Sequence, residues 1–407
     1  MGPAVRGIGT WVALLAVGCG GADQAAAVGE VPPERWSLVE TARIGSVDGA
    51  DDALTRVGAF LPMPGGGAWF VEPVERRVRT VDGAGGLSGS VGGPGQGPGE
   101  FTIPGTMGWW NGSSDTIWVS DEFAGTISLF DKTGTFLRSI RMEPVEWNDE
   151  WVVTQPRAIG PGGVGLGLAQ YRPGAEAGGP FPLVSFEVQT GGPIAQLASI
   201  PGTDRVQIWW QGETVATGAH PLPDTPIVAY SPKGMVLSVV GRSVAAVDRN
   251  RAGGQGVPEV VVTALNASGD TLWERSIGYE PERVPPSELN ALWAREIEAF
   301  QRFVTLEGRL TSEEAERAYL ESVPQPASRP PISAVRIDAT GRLLLIWSAE
   351  PEAASEAWLL GADGGLIASF SLPVGVTVLG FEGEELWLLE VDDLDIPFVV
   401  RMRLEGA

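Results

Sequence analysis

One cysteine and one histidine in 407 residues leave no material for a disulfide framework, a Cys/His zinc site or a multi-histidine catalytic metal. Positive charge is also scarce: 28 Lys and Arg stand against 51 Asp and Glu, a formal net charge of −23, which repels a phosphate backbone and argues against nucleic acid as a partner. The single histidine, His220, has no positioned nucleophile and no nucleophile-elbow motif around it, and reads as an exposed loop residue. What is abundant is turn-forming residues, 56 Gly and 32 Pro, a density suited to many short strands and not to a helical protein. With 43% hydrophobic residues the chain can still bury a sizeable core.

The amino terminus carries Arg6, an apolar stretch from Ile8 to Val17 too short to span a bilayer, and then Cys19. Residues 1–18 are expected to be a signal peptide. Leu15-Ala16-Val17-Gly18-Cys19 resembles the lipobox of bacterial lipoproteins. That resemblance implies cleavage before Cys19 and acylation of its sulfur, placing residues 19–35 as a lipidated tether and the protein outside the cytoplasm, in the cell envelope. The outer membrane is the expected site in a diderm source. An ordinary signal peptide cut near Ala25-Ala26-Ala27 is the alternative.

Beyond the tether a unit recurs: an apolar strand, a tight turn opened by Asp or Asn and closed by Gly, and an alternating strand. The clearest copy is Ile127 to Phe130, Asp131-Lys132-Thr133-Gly134, Phe136 to Ile140, with others around Asp82, Asn266, Gln189 and Gly361. These acids read as turn formers, not ligands. Closing glycines at 85, 134, 192, 269, 364 and 406 mark six units, and four strands per unit predict an all-β, six-bladed β-propeller over residues 36–407. The last unit lacks its outermost strand, and the unassigned strand Trp36 to Ile44 is expected to pair beside Val399 to Leu404 and close the ring.

Between the fourth and fifth blades, within 283–330, the period becomes helical. Leu289, Leu292, Trp293, Ile297, Phe300, Phe303 and Val304 share a face after Ser287 as N-cap, and Thr311 with Glu314 forms a capping box. This face is expected to pack on the propeller, with a partner-binding helix as the alternative.

Gln96-Gly97-Pro98-Gly99-Glu100-Phe101, the strand from Asp115 to Asp121 and Ile337-Asp338-Ala339-Thr340-Gly341-Arg342 resemble a bacterial family of six-bladed propellers related to NHL-repeat and TolB-like proteins, many of them lipoproteins. The resemblance implies fold and location but transfers no catalytic residue. NHL-type lyases that use several histidine ligands are excluded by count.

No catalytic residue and no cofactor is assigned. The Gly-rich 92–99 stretch lacks the Lys-Ser/Thr of a P-loop and reads as a connection between blades. Strand order puts the long connections on one rim of the disc, including 121–125, 143–150, 171–182 and 199–224, and long loops on a rigid scaffold are where binding concentrates. The candidate binding residues there are Asp121, Glu122, Trp147, Tyr171, Trp209 and Trp210. Trp209 and Trp210 stand out because consecutive strand residues point to opposite faces, so one core cannot hold both. The resulting expectation is a binding or scaffold module for a peptide, glycan or protein. The alternative is a calcium-dependent hydrolase or lactonase using channel carboxylates. The Asp392-Asp393-Leu394-Asp395 cluster departs from EF-hand spacing and reads as a solvated loop.

Overall fold

The computed structural model describes residues 31–47, 52–172, 180–201, 205–220, 222, 225–242, 258–306, 308–324 and 328–406. Cys19 and the leader lie outside these residues.

Short strands pair with their sequence neighbours because tight turns connect them, and the described residues form six sheets of this meander type. Sheet 1 contains Phe60–Pro62, Ala68–Glu72, Arg77–Val81 and Leu87–Val91, and sheet 2 contains Pro104–Trp109, Thr116–Asp121, Thr126–Asp131 and Phe136–Arg141. Sheet 3 contains Ala158–Gly160, Val164–Leu168, Phe181–Glu187 and Pro193–Ile200, and sheet 4 contains Ile227–Tyr230, Val236–Arg242, Glu259–Asn266 and Thr271–Gly278. Sheet 5 contains Ile332–Ile337, Leu343–Trp347, Glu356–Leu360 and Leu366–Ser371, and sheet 6 contains Thr377–Glu382, Glu385–Val391 and Pro397–Glu405.

Each sheet packs face to face on the next, and the apolar clusters show the order. Val71 and Val78 meet Met107 and Ile117 between sheets 1 and 2; Trp118 meets Phe186 between 2 and 3; Leu183 meets Leu237 between 3 and 4. Val262 then meets Leu345, Phe370 meets Leu388, and Trp387 meets Phe70, which returns the series to sheet 1. The sheets therefore close into the ring of a β-propeller. Strands covered on both faces lose their polar alternation, so Ala68–Glu72 and Leu343–Trp347 are buried throughout, whereas the outer Leu87–Val91 is mostly exposed. Trp69, Trp118 and Trp387 are the inter-sheet packing residues expected from the sequence, at 3%, 0% and 0% exposure.

The expected closure is present: Ser37–Ile44 runs antiparallel to Pro397–Glu405, with Leu38 opposite Leu404 and Ile44 opposite Val399. It supplies the fourth strand of sheet 6. Just before it, Glu34–Arg35 adds a parallel fifth strand to sheet 5, which the sequence did not suggest.

The recurring turns share one construction. The side-chain oxygen of Asp82 accepts the N–H groups of Ala84 and Gly86, Asp131 those of Thr133 and Thr135, and Asn266 those of Ser268 and Asp270. Gly85, Gly134 and Gly269 follow at φ of 89°, 93° and 88°, which a side chain would resist. In the turn after Glu187, Gly191 takes the positive φ, not Gly192 as the spacing suggested. Gly406 has no such φ because sheet 6 needs no turn after its third strand.

Two helices, Pro286–Leu306 and Ser312–Ser322, lie between sheets 4 and 5 in sequence. The second begins with the expected Thr311–Glu314 capping box. The first starts at Pro286, so Ser287 sits inside the first turn instead of capping it. Their shared face also corrects the expectation. Trp293, Phe300 and Val304 pack on Ala315, Ala318 and Tyr319 and on Ile208 of a separate hairpin, Arg205–Trp210 with Glu213–Ala219, in a cluster that contains no ring-sheet residue among the described residues. Helices and hairpin thus have a core of their own.

Candidate functional site

The innermost strands of the six sheets do not meet at the centre. They surround a cavity of about 760 Å³, reached by residues of every sheet. Leu61, Met107, Ala229, Val335 and Phe381 give it apolar walls, because an innermost strand must also feed the packing between neighbouring sheets. The turn after Tyr230 narrows one end. Trp109 N–H of sheet 2 donates to Pro232 O at 2.9 Å, and a Cβ on Gly234 would lie 2.4 Å from Gly160 N of sheet 3, so only glycine permits this approach.

Against these walls stand a few polar groups. Arg336, in the inner strand of sheet 5, donates through Nε to Val378 O at 3.0 Å and Leu379 O at 3.3 Å, and through Nη1 to Val335 O at 2.9 Å. Nη2 and one hydrogen of Nη1 have no partner among the described residues. Burial lowers the pKa of Arg336, yet a guanidinium stays charged at neutral pH. Arg157, just before the inner strand of sheet 3, lines the same space with a solvent-exposed side chain that forms no ion pair among the described residues. The Tyr230 hydroxyl is buried and has no hydrogen-bond partner among them; burial pushes its pKa up, and the charge of Arg157 acts in the opposite direction. Thr106 is already engaged, donating from its hydroxyl to Pro156 O and from its N–H to Ser120 Oγ. The described lining contains no carboxylate.

This bears on calcium, a hard cation that takes carboxylate and carbonyl oxygens. Two guanidiniums and no acid do not suit it, and no group of three or more Asp, Glu, His or Cys side chains able to hold a metal occurs among the described residues. Asp392 accepts the N–H groups of Leu394 and Ile396 in the turn construction seen elsewhere, and Asp395 sits at φ 60° where the other turns have glycine. The acidic cluster is a turn.

The residues expected to form a binding rim fall into three packing units. The carboxylate of Asp121 is buried and accepts four backbone N–H groups, those of Thr102, Ile103, Phe123 and Ala124, so it is committed to holding two loops, while Glu122 beside it is exposed. Tyr171 stacks on Trp151 with centroids 4.1 Å apart and meets the edge of Phe181, and Trp147 packs on the same cluster. Since Phe181 also lines the cavity, this unit borders it. Trp210 packs against the helices, whereas Trp209 is 48% exposed, the split expected for consecutive strand residues. His220 corrects its reading as an exposed loop residue. It is half-buried, one ring nitrogen lies 2.8 Å from Pro324 O, and it ties the hairpin to the end of the second helix.

Sequence reasoning missed Arg157, Arg336 and Tyr230. Arg336 gave a signal, as a cation inside a strand of otherwise small and apolar residues, Ile-Ser-Ala-Val-Arg-Ile.

No family model matches the chain, and no curated protein matches it. Among solved structures, propeller-like proteins are similar to it. A calcium-binding regucalcin from Agrobacterium tumefaciens strain C58 is 13% identical, with 92% of this chain and 97% of that one covered and a TM-score of 0.38. Virginiamycin B lyase from Staphylococcus aureus is 10% identical over 91% of this chain and 99% of its own, with a TM-score of 0.37. A PQQ-bound aldose sugar dehydrogenase from Streptomyces coelicolor is 13% identical over 92% and 100%, with a TM-score of 0.40.

Proposed function

We propose that this chain is a six-bladed propeller, one blade per sheet, with the helices and hairpin as an insertion between blades four and five. It is anchored in the cell envelope through lipid on Cys19 and binds a small molecule in its central cavity. The observation that carries the binding reading is the cavity itself: about 760 Å³, mostly apolar walls, and a few polar groups with unused hydrogen-bonding capacity in one lining. The rim aromatics are divided among separate packing units, which favours the cavity over a peptide, glycan or protein surface built from them. A metal-dependent hydrolase would need donors that the described lining does not offer.

Val228 lines the cavity and is only partly buried, so Val228→Trp places an indole in the space. In a thermal-shift screen of the soluble domain against a metabolite library, compounds that raise the melting temperature of the parent should fail to do so in this variant. Equal shifts in both proteins would move binding out of the cavity. Elemental analysis addresses the metal alternative, since stoichiometric calcium in the purified domain would favour it. For the anchor, Cys19→Ser should release or fail to process the protein, and unchanged membrane retention would remove that part of the proposal.

A further inference from the structure

We infer that the ligand of the central cavity is an organic anion with an apolar body, held at its charged group by Arg157, Arg336 and the hydroxyl of Tyr230; this rests on the cavity being the binding site.

With 51 acids against 28 bases, the chain has carboxylates in excess, yet among the described residues none faces the cations of this cavity. Several other arginines pair with carboxylates: Arg43 meets Glu40 and Glu390, Arg77 meets Glu72, Arg342 meets Asp338, and Arg403 meets Glu405. Arg157 and Arg336 have no such partner among the described residues, and both face one space. Glu382, at the far end of the inner strand of sheet 6, is not part of the lining and accepts the N–H of Ala339.

Arg336 is also held in place before any ligand arrives. Its three backbone acceptors fix the guanidinium plane and leave donors on one edge, the arrangement that suits a carboxylate, sulfonate or phosphate. Partial desolvation without a counter-charge is unfavourable, and an anion entering the cavity relieves it. The buried Tyr230 hydroxyl has a high pKa and therefore remains a donor at neutral pH, so it adds a hydrogen bond to an anionic acceptor without charge repulsion. Besides Thr106, Gln170 and Ser231, the remaining walls, such as Leu61, Met107, Val335 and Phe381, are apolar, which suits a ligand with a largely apolar body.

The test uses two fluorescent probes of one skeleton, 1-anilinonaphthalene-8-sulfonate and the neutral N-phenyl-1-naphthylamine, titrated into the mature soluble domain with equilibrium dialysis for stoichiometry. The sulfonate should bind one per chain and about tenfold more tightly than its neutral counterpart, since one charge-assisted hydrogen bond alone is worth roughly that factor. Arg157→Gln, on an exposed side chain, and the isosteric Tyr230→Phe should each weaken the sulfonate about five- to tenfold and leave the neutral probe unchanged. Arg336→Lys is a further arm, and retained circular dichroism shows whether that variant is folded. If both probes bind equally, and both are lost in Val228→Trp, the cavity reading stands and anion selection is overturned. If neither probe binds, or Val228→Trp changes nothing, the cavity reading fails and this inference fails with it.

Discussion

The Arg401 guanidinium donates through Nη1 to the carbonyl of Gly66 at 2.6 Å, joining the third strand of the last sheet to a turn of the first. The same nitrogen reaches Gly83 O at 2.9 Å, and Nε donates to Thr41 Oγ1 on the closing strand at 2.9 Å. The charge lies over the Trp387 ring, 5.7 Å from its centroid. One side chain, 7% exposed, therefore stitches together the three pieces that meet where the ring closes.

Arg401→Met keeps most of the volume but leaves the Gly66 and Gly83 carbonyls without their donor. Urea unfolding should show a loss of about 2–4 kcal/mol. A loss below about 0.5 kcal/mol would mean that the seam is held by strand pairing alone.

Asp121 is a loop anchor with four backbone donors. Asp121→Ala should cost about 1–3 kcal/mol, because four N–H groups lose a buried, charged acceptor. Asp121→Asn keeps Oδ1, which serves Ile103, Phe123 and Ala124, and should cost less than half as much. Equal effects of the two variants would show that the charge, not the acceptor geometry, holds the loops.

The two adjacent tryptophans of the hairpin should separate in hydrogen exchange. Trp210→Ala removes a ring packed on the helices and should lower protection of Ser312–Ser322 by about 1–3 kcal/mol while the ring sheets keep theirs. Trp209→Ala should stay within about 0.5 kcal/mol. Uniform loss across the whole chain would show that the helices and hairpin do not open independently.

Glu382 gives a pH signature. Burial is the main cause of its raised pKa, with Asp338 adding to it, while the Ala339 N–H, Lys233 and Arg342 act against it. The folded protein thus binds this proton more tightly than the unfolded chain. Its contribution to stability is full below the ordinary glutamate value and is lost as pH rises through the folded value. Glu382→Gln should be more stable than the parent at neutral pH, with the gap closing on acidification. A constant gap at all pH values would assign the effect to packing.

What the sequence revealed followed from how local each signal is. Asp131 and Gly134 build their turn from four neighbouring residues, Thr311 and Glu314 cap a helix three positions apart, and the alternation in Ser37–Ile44 marks a strand that needed a partner. The cavity was hidden for the opposite reason. Arg157, Tyr230 and Arg336 lie far apart in the chain and in different sheets, and nothing near any one of them announces the others. The helical face was legible as apolar, but not its partner, since period 3.6 shows that Trp293 and Val304 must be covered without saying by what. Asp121 drew attention as an acid at the edge of a loop, whereas its four bonds depend on how Thr102 and Ile103 fold back over it.

The closing strand also sets a schedule. Thr41 and Arg401 are 360 positions apart, so the earliest part of the ring to be synthesised waits for the latest. Until the last sheet emerges, the face of sheet 1 carrying Phe70 and Val81 lacks Trp387 and Val399, which complete its cover, and the growing chain is an open arc with an apolar surface at its start. Bringing such distant segments together is slow, so the arc persists longer than a chain of locally paired sheets would otherwise require. A nonsense codon that removes only the last nine residues would therefore strip Ser37–Ile44 at the start of the chain of its strand partner as well as shortening the last sheet, and the truncated product should be found in aggregates although nearly all of its sequence is intact.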